Sequence, residues 1–189
     1  MRISGGRARG IPLVVPKGDA VRPATDGMRQ SVFSSLGERV TDARFLDLFA
    51  GSGAYGLEAL SRGAAGGVFV EQNARAAACI RQNLGAVGKS LGRDLRDVTV
   101  LQADARAVPL GGGEVPDLVF IDPPYEIIGD VAPALFARLA GLLAVKPDAI
   151  VVFELPGELE LAPPGWTLLK RLGKGARQPT VAFFRREPA

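Results

Sequence analysis

The chain has no histidine and a single cysteine, Cys79, among its 189 residues. Those shortages exclude Ser-His-Asp triads, Cys-His pairs and ordinary zinc sites, and a lone cysteine closes no intrachain disulfide. Cys79 falls in an alanine-rich helical stretch and reads as core filler. There is no uninterrupted run of about 18 apolar residues, so no transmembrane helix is expected. The N-terminal Met1-Arg2-Ile3-Ser4-Gly5-Gly6-Arg7 lacks the apolar centre of a signal peptide. The expectation is a cytoplasmic monomer without metal or membrane attachment. Its chemistry must run on carboxylates, backbone groups, hydroxyls and a borrowed cofactor.

What is present suits a globular chain: 47% hydrophobic and 23% charged residues, and a length that fits one domain with a sizeable core. The net charge of +3 is unevenly spread, at +4 over residues 1–40, −6 over 41–164 and +5 over 165–189. Basic ends around an acidic centre suggest a polyanion gripped by the termini and a separate site in the middle. The division expected is a basic extension over 1–40, made of an edge hairpin and a helix, followed by a main domain over 41–189.

Prolines flank Ile11-Pro12-Leu13-Val14-Val15-Pro16 and limit residues 2–23 to irregular structure, an edge strand or a hairpin. Thr25 or Asp26 can cap a helix with Met28, Val32, Phe33 and Leu36 on its apolar face and Gly37 as its stop. Arg29 falls at the edge of that face, where it can point at a ligand or at water. From residue 45 the pattern alternates. Strands are predicted at Phe45–Phe49, Gly67–Val70, Val98–Leu101, Leu118–Ile121 and Ile150–Leu155, with helical stripes between several of them. Such repeats mean a doubly wound, mostly parallel α/β sheet. Trp166–Leu172 and Thr180–Phe184 have no helix between them and read as a closing antiparallel hairpin.

Gly51, Gly53 and Gly56 spell G-x-G-x-x-G between the first strand and its helix, a layout that aims backbone N–H groups at a ligand. Asp47, Glu71, Asp104 and Asp122 all fall at strand ends, where such sheets bind ligands. Glu71 follows Gly53 by 18 residues, a spacing that suits ribose hydroxyls. Asp104 is expected to meet an adenine amine or the backbone. The alternative for such acids is to cap the helices that follow. In Asp122-Pro123-Pro124-Tyr125 the two prolines stiffen the turn and remove donors. A carboxylate and a proline carbonyl then form an acceptor-only cradle for an exocyclic amine, and Tyr125 offers a face for a base.

These residues resemble the Rossmann-like, S-adenosylmethionine-dependent amino-methyltransferases. More closely, Arg2-Ile3-Ser4-Gly5-Gly6, Arg22-Pro23-Ala24-Thr25-Asp26 with Arg29, Asp47 through Gly53, Gly56 through Gly63, and Asp122 through Tyr125 resemble the RsmD family. That family methylates the N2 amine of one guanine in bacterial small-subunit ribosomal RNA, which implies position 966 of the 16S molecule as the target. The resemblance implies that Asp47, Phe49, Gly51, Gly53, Glu71, Asp104, Ala105 and Asp122 line the S-adenosylmethionine pocket. It also implies that Asp122, Pro123, Pro124 and Tyr125 face the base, and that Arg7, Arg9, Arg22 and Arg29 meet RNA. Gly27 stands where the family usually has arginine, and the C-terminal hairpin lacks the glycine-tyrosine pattern of relatives.

A guanine beside Tyr125 would present its amine to Asp122 and the Pro123 carbonyl. A DNA adenine methyltransferase shares the turn, but the 68 residues between Gly53 and Asp122 leave no room for a target-recognition insert. A protein-glutamine methyltransferase more typically has asparagine at 122. An NAD-dependent dehydrogenase leaves the Pro-Pro-Tyr turn unexplained. A non-catalytic RNA-binding assembly factor would not need Gly51, Gly53, Glu71 and Asp122 intact.

Overall fold

The alternating runs condense into one seven-stranded sheet with helices on both faces. The computed structural model describes residues 1–16, 25–110, 113–173 and 178–188, so Arg22 lies outside the described residues. Strands β1 (Arg44–Leu48), β2 (Gly66–Val70), β3 (Val98–Leu101), β4 (Leu118–Ile121) and β5 (Ile150–Pro156) are parallel, in the spatial order β3-β2-β1-β4-β5. Strands β6 (Trp166–Leu172) and β7 (Pro179–Arg186) extend the sheet antiparallel, with β7 between β5 and β6. Burial explains that order. Val181 to Phe184 are all buried, whereas Thr167 to Lys170 are exposed, so the strand apolar on both faces goes inside and the polar one forms the edge.

The helices are α1 (Asp26–Leu36), α2 (Ala54–Ser61), α3 (Ala74–Leu91) and α4 (Ile128–Leu142). Thr25 caps α1 by accepting from Met28 N, and Asn73 caps α3 by accepting from Arg75 N and Ala76 N. Strand alternation sorts the core into two layers. Phe45, Phe120 and Val152 pack with Phe33, Leu57 and Leu60 on the side of α1 and α2. Leu48, Ile121 and Phe153 pack with Leu135, Phe136 and Leu139 of α4 on the other. By length and a mean hydropathy of 1.7, Tyr125–Val145 would suffice to cross a membrane. Its inner face is instead committed to the sheet, and Glu126, Asp130 and Arg138 interrupt it.

Three expectations need correction. The N-terminal segment forms a narrow hairpin-like loop, with one antiparallel bridge between Arg2 and Pro12, but it docks on the helical layer and not on the sheet edge. Ile3, Ala8 and Leu13 are buried there. Ser4 donates to Glu58 through both N and Oγ at 2.8 Å, and Ala8 N donates to Ser61 Oγ at 2.9 Å, so polar groups of α2 hold the loop. Arg29 faces neither ligand nor water. It is wholly buried, donating to the Arg2 carbonyl at 2.6 Å and to Asp26 at 2.7 Å, because α1 is rotated so that Arg29 and not Met28 takes the inner position. Cys79 is half-buried at the margin of its stripe.

Chain order reverses between β1 and β4. The crevice beyond their carboxyl ends is the ligand position in such sheets.

Candidate active site

Strand β1 ends at Leu48, one residue sooner than its apolar pattern suggests, because Phe49 adopts φ 59°. A left-handed aromatic costs about 1–3 kcal/mol, and here it swings the chain into the glycine loop. Ala50 N donates to Val70 O at 3.1 Å, and Gly53 N to Ala50 O at 2.7 Å. Gly53, at φ 81°, is the N-cap of α2 and offers no side chain to cap it. Asp47 supplies the missing acceptor from β1, taking the Gly56 N–H at 2.9 Å.

Glu71 stands at the end of β2 with both oxygens engaged. It accepts from Gly51 N at 2.8 Å and from Asn73 N at 2.7 Å. It therefore ties the glycine loop to the cap of α3, and each oxygen keeps a lone pair for a ligand hydroxyl.

These groups surround a cavity of about 320 Å³, lined by Asp47, Phe49, Gly51, Glu71, Ala105, Asp122 and Pro124, at the small end of ligand pockets. Gly53 and Pro123 are buried and do not line the cavity with their side-chain positions. Tyr125 follows Pro124 and is 40% exposed. Asp104 meets the backbone, as one of its two expected contacts, but departs from the expected pocket lining. Its carboxylate does not line the cavity but accepts from the Arg106 guanidinium at 2.7–3.0 Å and from the Arg106 backbone N–H. An arginine two residues on captures it and holds its pKa below the usual range.

Burial dominates the electrostatics. It pushes Asp47 up to about 8, with the nearby charge of Glu71 adding and the Gly56 N–H opposing. It drives Asp122 well above the carboxylate range, aided by the charges of Glu154 and Asp47. Tyr125 is pushed up to about 12 by burial and by Glu154 and Asp122. Asp47, Glu71 and Asp122 line the cavity, and no lysine or arginine among the described residues does. That set of acceptors fits a ligand with cationic groups and hydroxyls.

The chain matches, over residues 1–184, the family model described as conserved hypothetical protein 95. It belongs to that family. Ribosomal RNA small subunit methyltransferase D of Escherichia coli is 33% identical over 189 residues, covering 99% of this chain and 90% of the relative. A solved putative methyltransferase from Escherichia coli superposes with a TM-score of 0.77 at 30% identity, covering 100% of this chain and 99% of the other. An RNA methyltransferase from Salinibacter ruber, solved with S-adenosyl-L-homocysteine, shares the fold at a TM-score of 0.63 and 17% identity, covering 88% and 94%.

Three features of this family member's site lie outside the sequence motifs. Val15 and Pro16 of the N-terminal segment line the cavity, carried there by Asn83, which bonds Val14 N and O at 2.8 and 3.0 Å and Ser52 O at 3.0 Å. Arg138 of α4 donates to the carbonyls of Ala105, Arg106 and Val108 and fixes the loop that brings Ala105 to the wall. Tyr55 lines the cavity and donates to the buried Glu154 at 2.9 Å. The strand-end rule passes over Glu154, which lies inside β5 before Leu155 and Pro156; its signal is a lone carboxyl in an otherwise apolar strand.

Proposed function

We propose that the chain is an S-adenosylmethionine-dependent methyltransferase acting on the exocyclic N2 amine of a guanine in small-subunit ribosomal RNA, at position 966 of the 16S molecule. The observation that carries this reading is that Asp122 and Pro124 of the Asp-Pro-Pro-Tyr turn line the same cavity as Gly51 and Glu71. An amine-accepting turn thus meets a pocket suited to a cationic nucleoside. The ribosomal RNA methyltransferase name of its relative and the S-adenosylhomocysteine held by a fold neighbour support it.

Glu71 would take the ribose hydroxyls, with the glycine loop and Ala105 forming the walls. When bound, S-adenosylmethionine supplies an electrophilic methyl group, so no strongly basic catalyst is needed. Tyr125 stacks on the guanine, worth about 1–3 kcal/mol. Asp122 and the Pro123 carbonyl accept hydrogen bonds from the amine and orient its nitrogen, and positioning of this kind can supply about 7–11 kcal/mol. The nitrogen exchanges one hydrogen for the methyl group, and Asp122 receives that hydrogen as a proton. Glu71→Ala removes a charged acceptor and frees two loop N–H groups. Cofactor affinity should fall roughly 10–150-fold, the equivalent of about 1.5–3 kcal/mol, as read by calorimetry.

Residues 1–40 are proposed to grip RNA beside the methyltransferase domain of 41–189. Arg7 and Arg9 are exposed, and Arg22 is retained as a third contact. Arg9→Ala should weaken RNA binding and lower the slope of log affinity against log salt by about one, with cofactor affinity unchanged. A slope equal to wild type would remove Arg9 from the interface.

The deciding experiment is methyl transfer from radiolabelled S-adenosylmethionine to small ribosomal subunits lacking the modification, with duplex DNA and release factors in parallel. Label in N2-methylguanosine alone is the expected result. Label in DNA or protein would overturn the substrate, and cofactor binding without label in any of them would overturn the activity.

A further inference from the structure

Residues of one parity across paired strands share a face of the sheet. Asp47 of β1 pairs with Phe120 of β4, and Ile121 of β4 pairs with Phe153 of β5. One step beyond, Asp122 and Glu154 follow side by side on the face that carries Phe120 and Val152. Asp47 belongs to the same face, so the ends of three adjacent strands present three carboxyls under α1 and α2.

Glu154 is 2% exposed and accepts from the Tyr55 hydroxyl at 2.9 Å. Tyr55 is itself buried against Phe120, with ring centroids 5.3 Å apart. The groups that act on these carboxyls are Asp47 from β1, Tyr55 from α2, Arg29 from α1 and Tyr125 from the turn; Glu58 meets Arg29, Glu71 acts on Asp47 and Glu158 on Tyr125. From β7 the residue opposite Glu154 is the apolar Val181. Arg29 is the cation of this group, and it is divided among Asp26, the Arg2 carbonyl and Glu58, the last at 4.0 Å. Glu154 is buried and Asp122 is half-buried at the cavity wall, and neighbouring carboxyls so placed, with their cation shared out, resist ionising together.

We propose that Asp122 and Glu154 share one proton in the free protein and release it to solvent when the cationic cofactor binds. The acceptor for the amine's proton then exists only in a loaded site. The proposal rests on the methyltransferase reading above. Burial raises both carboxyls, Glu154 to about 7, which places the exchange near neutral pH. Charge is conserved around the cycle. One proton leaves as one positive charge arrives. After transfer, sulfur is neutral and the proton lost by the amine restores the shared state. Asp122 touches substrate, and Glu154 is its positioning residue.

The test is calorimetric titration of the full chain with S-adenosylmethionine and, separately, S-adenosylhomocysteine, in buffers of low and high ionisation enthalpy. At pH 6, below the titration of the pair, the methylated cofactor should release about one proton per site and the neutral product almost none. Affinity for the former should rise up to about tenfold per pH unit below the titration of the pair and stay flat for the latter. In Glu154→Gln the release should fall below about half and the pH slope should flatten. In Tyr55→Phe, Glu154 loses its donor and the midpoint of release should move to higher pH.

Equal release with both cofactors would overturn the proposal, as would unchanged release in a Glu154→Gln protein that still binds S-adenosylhomocysteine. Should Glu154→Gln fail to fold, an unmoved midpoint in Tyr55→Phe overturns it and a shifted one supports it. No RNA enters the measurement, so a wrong RNA substrate leaves the result standing. Failure to bind either cofactor would refute the methyltransferase reading and this inference with it.

Discussion

Asp122→Ala lowers the methyl-transfer rate roughly 10²–10⁴-fold, the range set by loss of a positioned proton acceptor. Cofactor affinity should change far less. The glycine loop is held by Glu71 and by Asp47 through bonds at 2.8 and 2.9 Å, and neither depends on Asp122. The stiffness of the turn also survives, since Pro123 and Pro124 remain. What disappears is the carboxylate that both orients the amine and receives its proton. Asp122→Asn separates those roles, because the amide oxygen still accepts a hydrogen bond but cannot take the proton. An intermediate rate in Asn is expected if orientation carries part of the effect. Single-turnover methylation followed by nucleoside analysis reads both variants, and wild-type turnover in Asp122→Ala would remove Asp122 from the mechanism.

Gly56→Ala is expected to be the most damaging small substitution near the site. A Cβ there would meet Phe69 at 2.4 Å and Phe45 at 2.6 Å. Those two rings pack edge to face at 5.0 Å in the core, and both are buried, so neither has room to swing aside. Overpacking of this kind costs about 1–3 kcal/mol, which lowers the melting temperature by roughly 2–12 °C in a chain of this size. It also shifts the start of α2, moving the Gly56 N–H off Asp47. Thermal unfolding and cofactor titration should therefore fail together. A variant with normal stability and weak binding would mean that Gly56 serves the ligand and not the packing.

That distinction is one the G-x-G-x-x-G pattern does not make. In sequence the three glycines read alike. In the structure Gly51 donates to Glu71, Gly53 turns the chain at positive φ, and Gly56 sits where two phenylalanines leave no space. The pattern marks a tight turn, and the packing assigns the reason for each glycine. Asp104 and Glu71 make the same point for acids. Both end parallel strands, yet Arg106 turns Asp104 away from the cavity while Glu71 holds the loop that shapes it.

The apolar periodicities by themselves determined the strands, their parallel order of appearance, the closing hairpin and the cavity acids Asp47, Glu71 and Asp122. These follow from local rules: side-chain alternation, glycine turns and carboxylates at strand ends. Three things depended on contacts between residues far apart in the chain, which no local pattern carries. The N-terminal loop chose the helical layer because Glu58 and Ser61 offered it acceptors. Arg29 went inside because a buried Glu58 and the Arg2 carbonyl were there to meet it. Tyr55 found Glu154 across 99 residues because the sheet order set β5 beside β4, which brought a fourth carboxyl to the site.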